Sequence, residues 1–130
     1  MTSENSPYKS KGGPVRLFNA LRYSARGFVA AFKHEAAFRQ ELLLIALLIP
    51  VALWLGGTTA ETLLLIAVLV PVLIAELLNS ALEALADAIT MEHHALIGRA
   101  KDLGSAAVML SIMLCTATWL YVIAIHIFVP

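Results

Sequence analysis

Polar residues fill the first fourteen positions, and most of the remaining chain lies in three long apolar runs. Met1–Pro14, rich in Ser, Asn, Pro, Lys and Gly, predicts a disordered leader. Over residues 15–34, Leu17, Phe18, Leu21, Ala25, Phe28 and Phe32 recur at helical spacings, with Arg22, Arg26 and Lys33 as a neighbouring basic stripe. That pattern predicts a basic amphipathic helix lying in the membrane interface. The first spanning run covers residues 35–55. It carries Arg39, Gln40 and Glu41 near its start and is then unbroken from Leu42 to Leu55. Pro50 is tolerated there if neighbouring helices satisfy the freed carbonyl. Gly56-Gly57-Thr58-Thr59 reads as a tight turn. The second run, 62–88, is wholly apolar in its first half and carries Glu76, Asn79, Ser80, Glu83 and Asp87 in its second. A polar loop is expected over 89–104, and a third run over 105–128 is long enough to cross with some tilt. The expected fold is an all-α membrane protein: one domain over 15–130, with a surface helix and three transmembrane helices.

Composition strengthens this picture. The 130 residues are 60% hydrophobic and 14% charged, against about 45–50% and about 25% in soluble domains. Packing is therefore expected between helices within lipid. Charge adds orientation. Seven of the nine Lys and Arg lie between Lys9 and Arg39, and the other two are Arg99 and Lys101. Three crossings put them all on one side, which is then cytoplasmic, with the C-terminus periplasmic. His126 would sit near the outer interface as a snorkelling residue. A basic cluster beside a spanning segment argues against nucleic acid as partner. The leader lacks the pattern of a cleaved signal. Cys115, within an apolar run, reads as a small buried residue.

Acidic groups inside a spanning helix cost on the order of 2.5–3.5 kcal/mol each at mid-membrane, so they call for a reason. Glu76 and Glu83 point within about 20° of each other on a helix of 3.6 residues per turn, and Asp87 continues the stripe past Asn79 and Ser80. Counted inward from Thr62 at about 1.5 Å per residue, Glu76 lies roughly 21 Å and Glu83 roughly 31 Å into a slab of about 30 Å. Counted from Leu55, Glu35 falls at the same boundary and Glu41 somewhat deeper. Two carboxylates at the aqueous rim and two in the lipid edge suit a reaction between a water-soluble donor and a membrane-embedded acceptor. Rim carboxylates can hold Mg²⁺ together with phosphate oxygens. A deeper carboxylate could accept a proton from a lipid hydroxyl, and basic residues nearby could neutralise a phosphate in transfer.

Other readings of these residues remain open on spacing alone. Glu35 and Arg39 could be a plain ion pair four residues apart. The Glu76–Asn79–Glu83 face could be interhelical glue, Lys101–Asp102 a solvated loop pair, and His93–His94 an interfacial doublet. The acids together could also line a proton or cation pathway. Neither the phosphate-loop motif nor the protein-kinase set is present. Both a membrane enzyme and a noncatalytic ion-conducting or scaffolding bundle are compatible with the physical pattern.

Three segments resemble a known family. Glu35-Ala-Ala-Phe-Arg-Gln-Glu41, Glu76-Leu-Leu-Asn-Ser-Ala-Leu-Glu83 and Gly98-Arg-Ala-Lys-Asp-Leu-Gly-Ser-Ala-Ala107 look like the signature segments of the prokaryotic diacylglycerol kinases, in the right order and on three different elements. The likeness runs from about Val15 to Trp119, and the tail from His126 has no counterpart. It implies a homotrimer in the bacterial inner membrane with active sites shared between subunits. It also implies transfer of the ATP γ-phosphate to diacylglycerol, giving phosphatidic acid, with Mg²⁺. By position, Glu76 resembles the general base, and Glu35 and Glu83 resemble the metal ligands. Arg16, Tyr23, Glu35, Glu83, Glu92, His93, His94, Lys101 and Asp102 match nucleotide-side positions. Arg16, Glu41, Glu76, Asn79, Ser105 and Trp119 match supporting or lipid-side positions. Undecaprenol kinase is the neighbouring relative. The first segment and Gly104-Ser105 favour diacylglycerol over a polyprenol.

Overall fold

The computed structural model describes residues 13–129, so the leader expected over 1–14 falls outside it up to residue 12. Two units make up the chain, Met1–His34 and Glu35–Pro130. The first contributes one described helix, α1 (Pro14–His34). Pro14 suits the first helical position because its ring presets φ and its missing N–H would have had no partner there. Gly13 supplies the preceding turn with φ 102°, a left-handed conformation that favours glycine. Lys33 and His34 occupy the last turn, where cations meet the negative end of the helix dipole. Leu17, Phe18, Leu21 and Phe28 are each more than half exposed. An apolar stripe left uncovered by protein is what an interfacial helix presents to lipid.

The second unit is built from α2 (Ala36–Leu55), α3 (Thr59–Ala67), α4 (Val70–Ile89) and α5 (Ala95–Phe128). Together they provide three stretches long and apolar enough to cross a membrane: Ala36–Leu55, Thr59–Ile89 and Ala95–Phe128. Glu35, in extended conformation, precedes α2 without capping it through its side chain. Gly56 ends α2, and a Cβ at Gly56 would run into the Thr62 side chain, so the turn closes only with glycine there. Thr58 caps α3 by accepting the Glu61 N–H at 3.2 Å. Glu61 Oε2 in turn accepts the Gly57 N–H at 2.9 Å and lies 3.1 Å from His126 Nε2. The residue expected to snorkel is therefore tied to the α2–α3 turn, and the end of α5 lies beside that turn.

The second span is not one continuous helix. Pro71 lacks an N–H, and its ring crowds the carbonyl four residues earlier. The chain tightens just before it, where the Leu69 N–H bonds Ile66 O at 3.1 Å rather than Leu65 O. Trp119 fills the gap: its indole Nε1–H donates to Leu65 O at 3.2 Å. Ala52, Leu65, Val68, Leu69, Trp119 and Val122 form the buried core around this point.

The third span also departs from the expected boundaries. Residues 95–104, read from polarity as part of a loop, are the first turns of α5. His94 caps them, its Nδ1 accepting the Leu96 N–H at 3.3 Å. Polarity there reflects depth rather than irregular backbone: a helix of 34 residues is about 51 Å long and overshoots a slab of about 30 Å. Only residues 90–94 connect α4 to α5, with Thr90 Oγ1 accepting the Glu92 N–H at 3.0 Å.

Candidate active site

The polar face predicted on the second span is present on α4, and its hydrogen bonds run along the helix. Asn79 Nδ2 donates to Glu83 Oε1 at 3.1 Å, and Ser80 Oγ to Glu76 Oε1 at 3.5 Å. Both are pairs four residues apart on one helical face. Interhelical glue would instead place such bonds between helices. Glu76 is the buried charged residue among those described, 6% exposed. It lies within electrostatic reach of Glu35 and Glu83, and Glu41 within reach of Glu76. Of the four carboxylates that the depth count put at neighbouring levels, Glu76 is the one coupled to each of the other three.

α5 supplies the facing wall. A Cβ at Gly104 would collide with the Asn79 side chain, so glycine lets α4 and α5 close at the level of the site. Asn79 Oδ1 is buried there without a partner. One turn outward, Lys101 Nζ meets Asp87 Oδ1 at 2.6 Å. The loop pair Lys101–Asp102 is thereby corrected: adjacent helical residues face different ways, and the lysine reaches across to α4. Asp102 and Ser105 are exposed on α5, and Glu92, His93 and His94 are exposed on the short connection. Arg16 and Tyr23 lie on α1, in the other unit.

On the membrane side of the carboxylates opens an apolar cleft of about 240 Å³ between α2, α4 and α5. Leu44, Leu48, Leu69, Val72, Ile112 and Trp119 are among its walls, and Glu41 is its one charged residue. Glu41 Oε2 is buried without a hydrogen-bond partner. Glu76 follows Val72 by one helical turn, on the same face of α4. An apolar slot with an unsatisfied carboxylate oxygen of Glu41 at its edge can seat a lipid that carries a hydroxyl.

Among the described residues no three His, Cys, Asp or Glu side chains form a ready-made metal cage. Mg²⁺ does not require one, since it is usually held by one or two carboxylates together with phosphate oxygens and water. The residues present fit that demand. Glu35 and Glu83 offer hard oxygen donors, Glu35 spends none on capping its helix, and each repels the Glu76 carboxylate, a field that a small cation would relieve.

The family profile described as prokaryotic diacylglycerol kinase matches residues 22–123. The chain belongs to that family. It is 49% identical over 114 residues to a diacylglycerol kinase of Pseudomonas aeruginosa, an overlap covering 88% of this chain and 93% of the relative. With that of Escherichia coli it shares 44% over 114 residues, again 88% and 93%. With one from Helicobacter pylori it shares 36% over 128 residues, 98% and 99% of the two chains.

For this diacylglycerol kinase family member, sequence reading missed two features of the site. Asp87 was placed on the acidic stripe without its partner. The bond between Trp119 and Leu65 was not foreseen at all, although Pro71, a helix breaker inside the run, was its visible signal.

Proposed function

We propose that this protein phosphorylates diacylglycerol to phosphatidic acid at the cytoplasmic face of the bacterial inner membrane, using Mg²⁺-ATP, as a homotrimer. The observation that carries the reading is an apolar cleft whose one charged lining residue, Glu41, is electrostatically coupled to the buried Glu76. Family membership supports the reaction class.

In this reading the acyl chain lies along Leu44, Leu48 and Val72, and Glu41 accepts a hydrogen bond from the glycerol end. Glu76 takes the proton of the acceptor hydroxyl as its oxygen attacks the γ-phosphorus. The bond from that phosphorus to the bridging oxygen breaks, and ADP leaves. Mg²⁺, when bound, neutralises the charge of the phosphates in transfer; Glu35 and Glu83 would hold it. Asn79 fixes Glu83, and Asp87 holds Lys101 where a phosphate oxygen can compete for it. Arg16, Tyr23, Glu92, His93, His94 and Asp102 are assigned to nucleotide, and Ser105 and Trp119 to the lipid side. The Lys and Arg distribution supports a cytoplasmic N-terminus and a periplasmic C-terminus.

The test is transfer from labelled ATP by purified protein in mixed micelles containing either dioleoylglycerol or undecaprenol. Labelled phosphatidic acid is expected. Label confined to the polyprenol would assign the neighbouring activity, and ion flux with no labelled lipid would remove the enzyme reading.

A further inference from the structure

We propose that Trp119 is a positioning residue for Glu76, acting through the Leu65 carbonyl that the break in the second span leaves free; this rests on the reading of Glu76 as the base. The break lies at Val68–Leu69, between α3 and α4. Leu69 turns its N–H to Ile66, so Leu65 O has no donor within its own helix. In lipid such a carbonyl needs another partner, and the Trp119 indole N–H from α5 provides it. The bond is buried, with Leu65 at 0% and Trp119 at 8% exposure.

Its placement matters because Leu69, at the N-cap of α4, is followed at spacings of three and four by Val72 and Glu76 on that helix, and the first two line the cleft. Where a continuous helix would propagate its phase from α3 into α4, the break leaves that phase to be set by contacts. The Trp119 bond fixes the last turn of α3, and the Trp119 ring packs in the same core as Leu69. Together they set the angle at which α4 starts. A rotation of about 25° moves a Cα on a radius of about 2.3 Å by about 1 Å. A displacement of about 1 Å of a reacting group can cost about a hundredfold in rate. Trp119 also borders the cleft, so one side chain both touches the lipid slot and holds the helix that carries the base.

Trp119→Phe removes the N–H and keeps an aromatic wall. Pro71→Ala restores an N–H at the break and allows a continuous helix in which Leu65 O accepts from Leu69. Turnover and KM for dioleoylglycerol would be measured for wild type, both single variants and the double variant. The expected result for Trp119→Phe is a kcat lower by about tenfold to a hundredfold, with KM changed by less than about threefold and ATP binding unaltered. In the Pro71→Ala background the same substitution is expected to cost less than about twofold, because the carbonyl no longer needs the indole. A rise in KM at unchanged kcat, or an equal fold loss in both backgrounds, would make Trp119 a wall of the cleft only and overturn the proposal. If Trp119→Phe does not fold, the indole N–H resonance decides. It is expected to shift upfield in Pro71→Ala as the bond is lost, and an unmoved resonance there overturns the proposal. Trp54, 85% exposed, serves as the internal reference. Absence of any lipid phosphorylation by wild type would instead count against the reading of function.

Discussion

Glu76 and Glu83 sit two turns apart on α4 in different surroundings, one buried and one half-buried and held by Asn79. Their substitution should therefore fail in different ways. Glu76→Gln keeps shape and the Ser80 contact but cannot take a proton. Turnover is expected to fall by about 10²–10⁴-fold, the range of a lost general base, with ATP binding and thermal midpoint near wild type; near-normal turnover would remove the assignment. Glu83→Gln retains an oxygen for the Asn79 amide and loses only charge. The Mg²⁺ concentration for half-maximal activity is expected to rise by about tenfold, equivalent to about 1.4 kcal/mol. An unchanged metal titration would show that Glu83 does not serve the cation.

Between α4 and α5 the controlling feature is Gly104, since α4 packs more extensively against α5 than against any other element. In Gly104→Ala the new methyl would push the Asn79 amide aside and cost its bond to Glu83. The expected outcome is a Mg²⁺ titration displaced like that of Glu83→Gln, with a fall in stability of about 1–3 kcal/mol as in overpacked cores. Thermal unfolding read beside the metal titration checks both. Much at this scale was legible in the sequence. Apolar run length marked three crossings, and the Glu76–Glu83–Asp87 spacing marked one face of a helix. Residues 95–104 were misread because polarity reports contact with water, and a helix emerging from lipid is as polar as a loop. Periodicity carries no signal for the break at Val68–Leu69 in a uniformly apolar run, and Pro71 alone marks it. Asp87–Lys101 and Trp119–Leu65 are contacts between distant positions, which spacing along one element does not reveal.

For the molecule as a whole, the balance of buried and exposed apolar groups is telling. Leu43, Leu47, Leu53, Leu110, Met113 and Leu120 are each more than half exposed, and water could not be the solvent for such a surface. Lipid covers part of it, and the proposed homotrimer would cover more. Sedimentation of the full chain in a mild detergent, corrected for bound detergent, is expected to give three copies per particle. A monomer retaining full activity would show that one chain completes the site alone.

The overhang of α5 has a consequence for nucleotide capture. Arg99 and Lys101 are carried on a rigid rod standing out of the bilayer, not on a tether that must be gathered in. Fixing a free backbone costs about 1–2 kcal/mol per residue. Because these residues are already helical, that entropy is lost once, when the chain folds, and in the proposed function an arriving polyphosphate would meet cations whose spacing was settled beforehand.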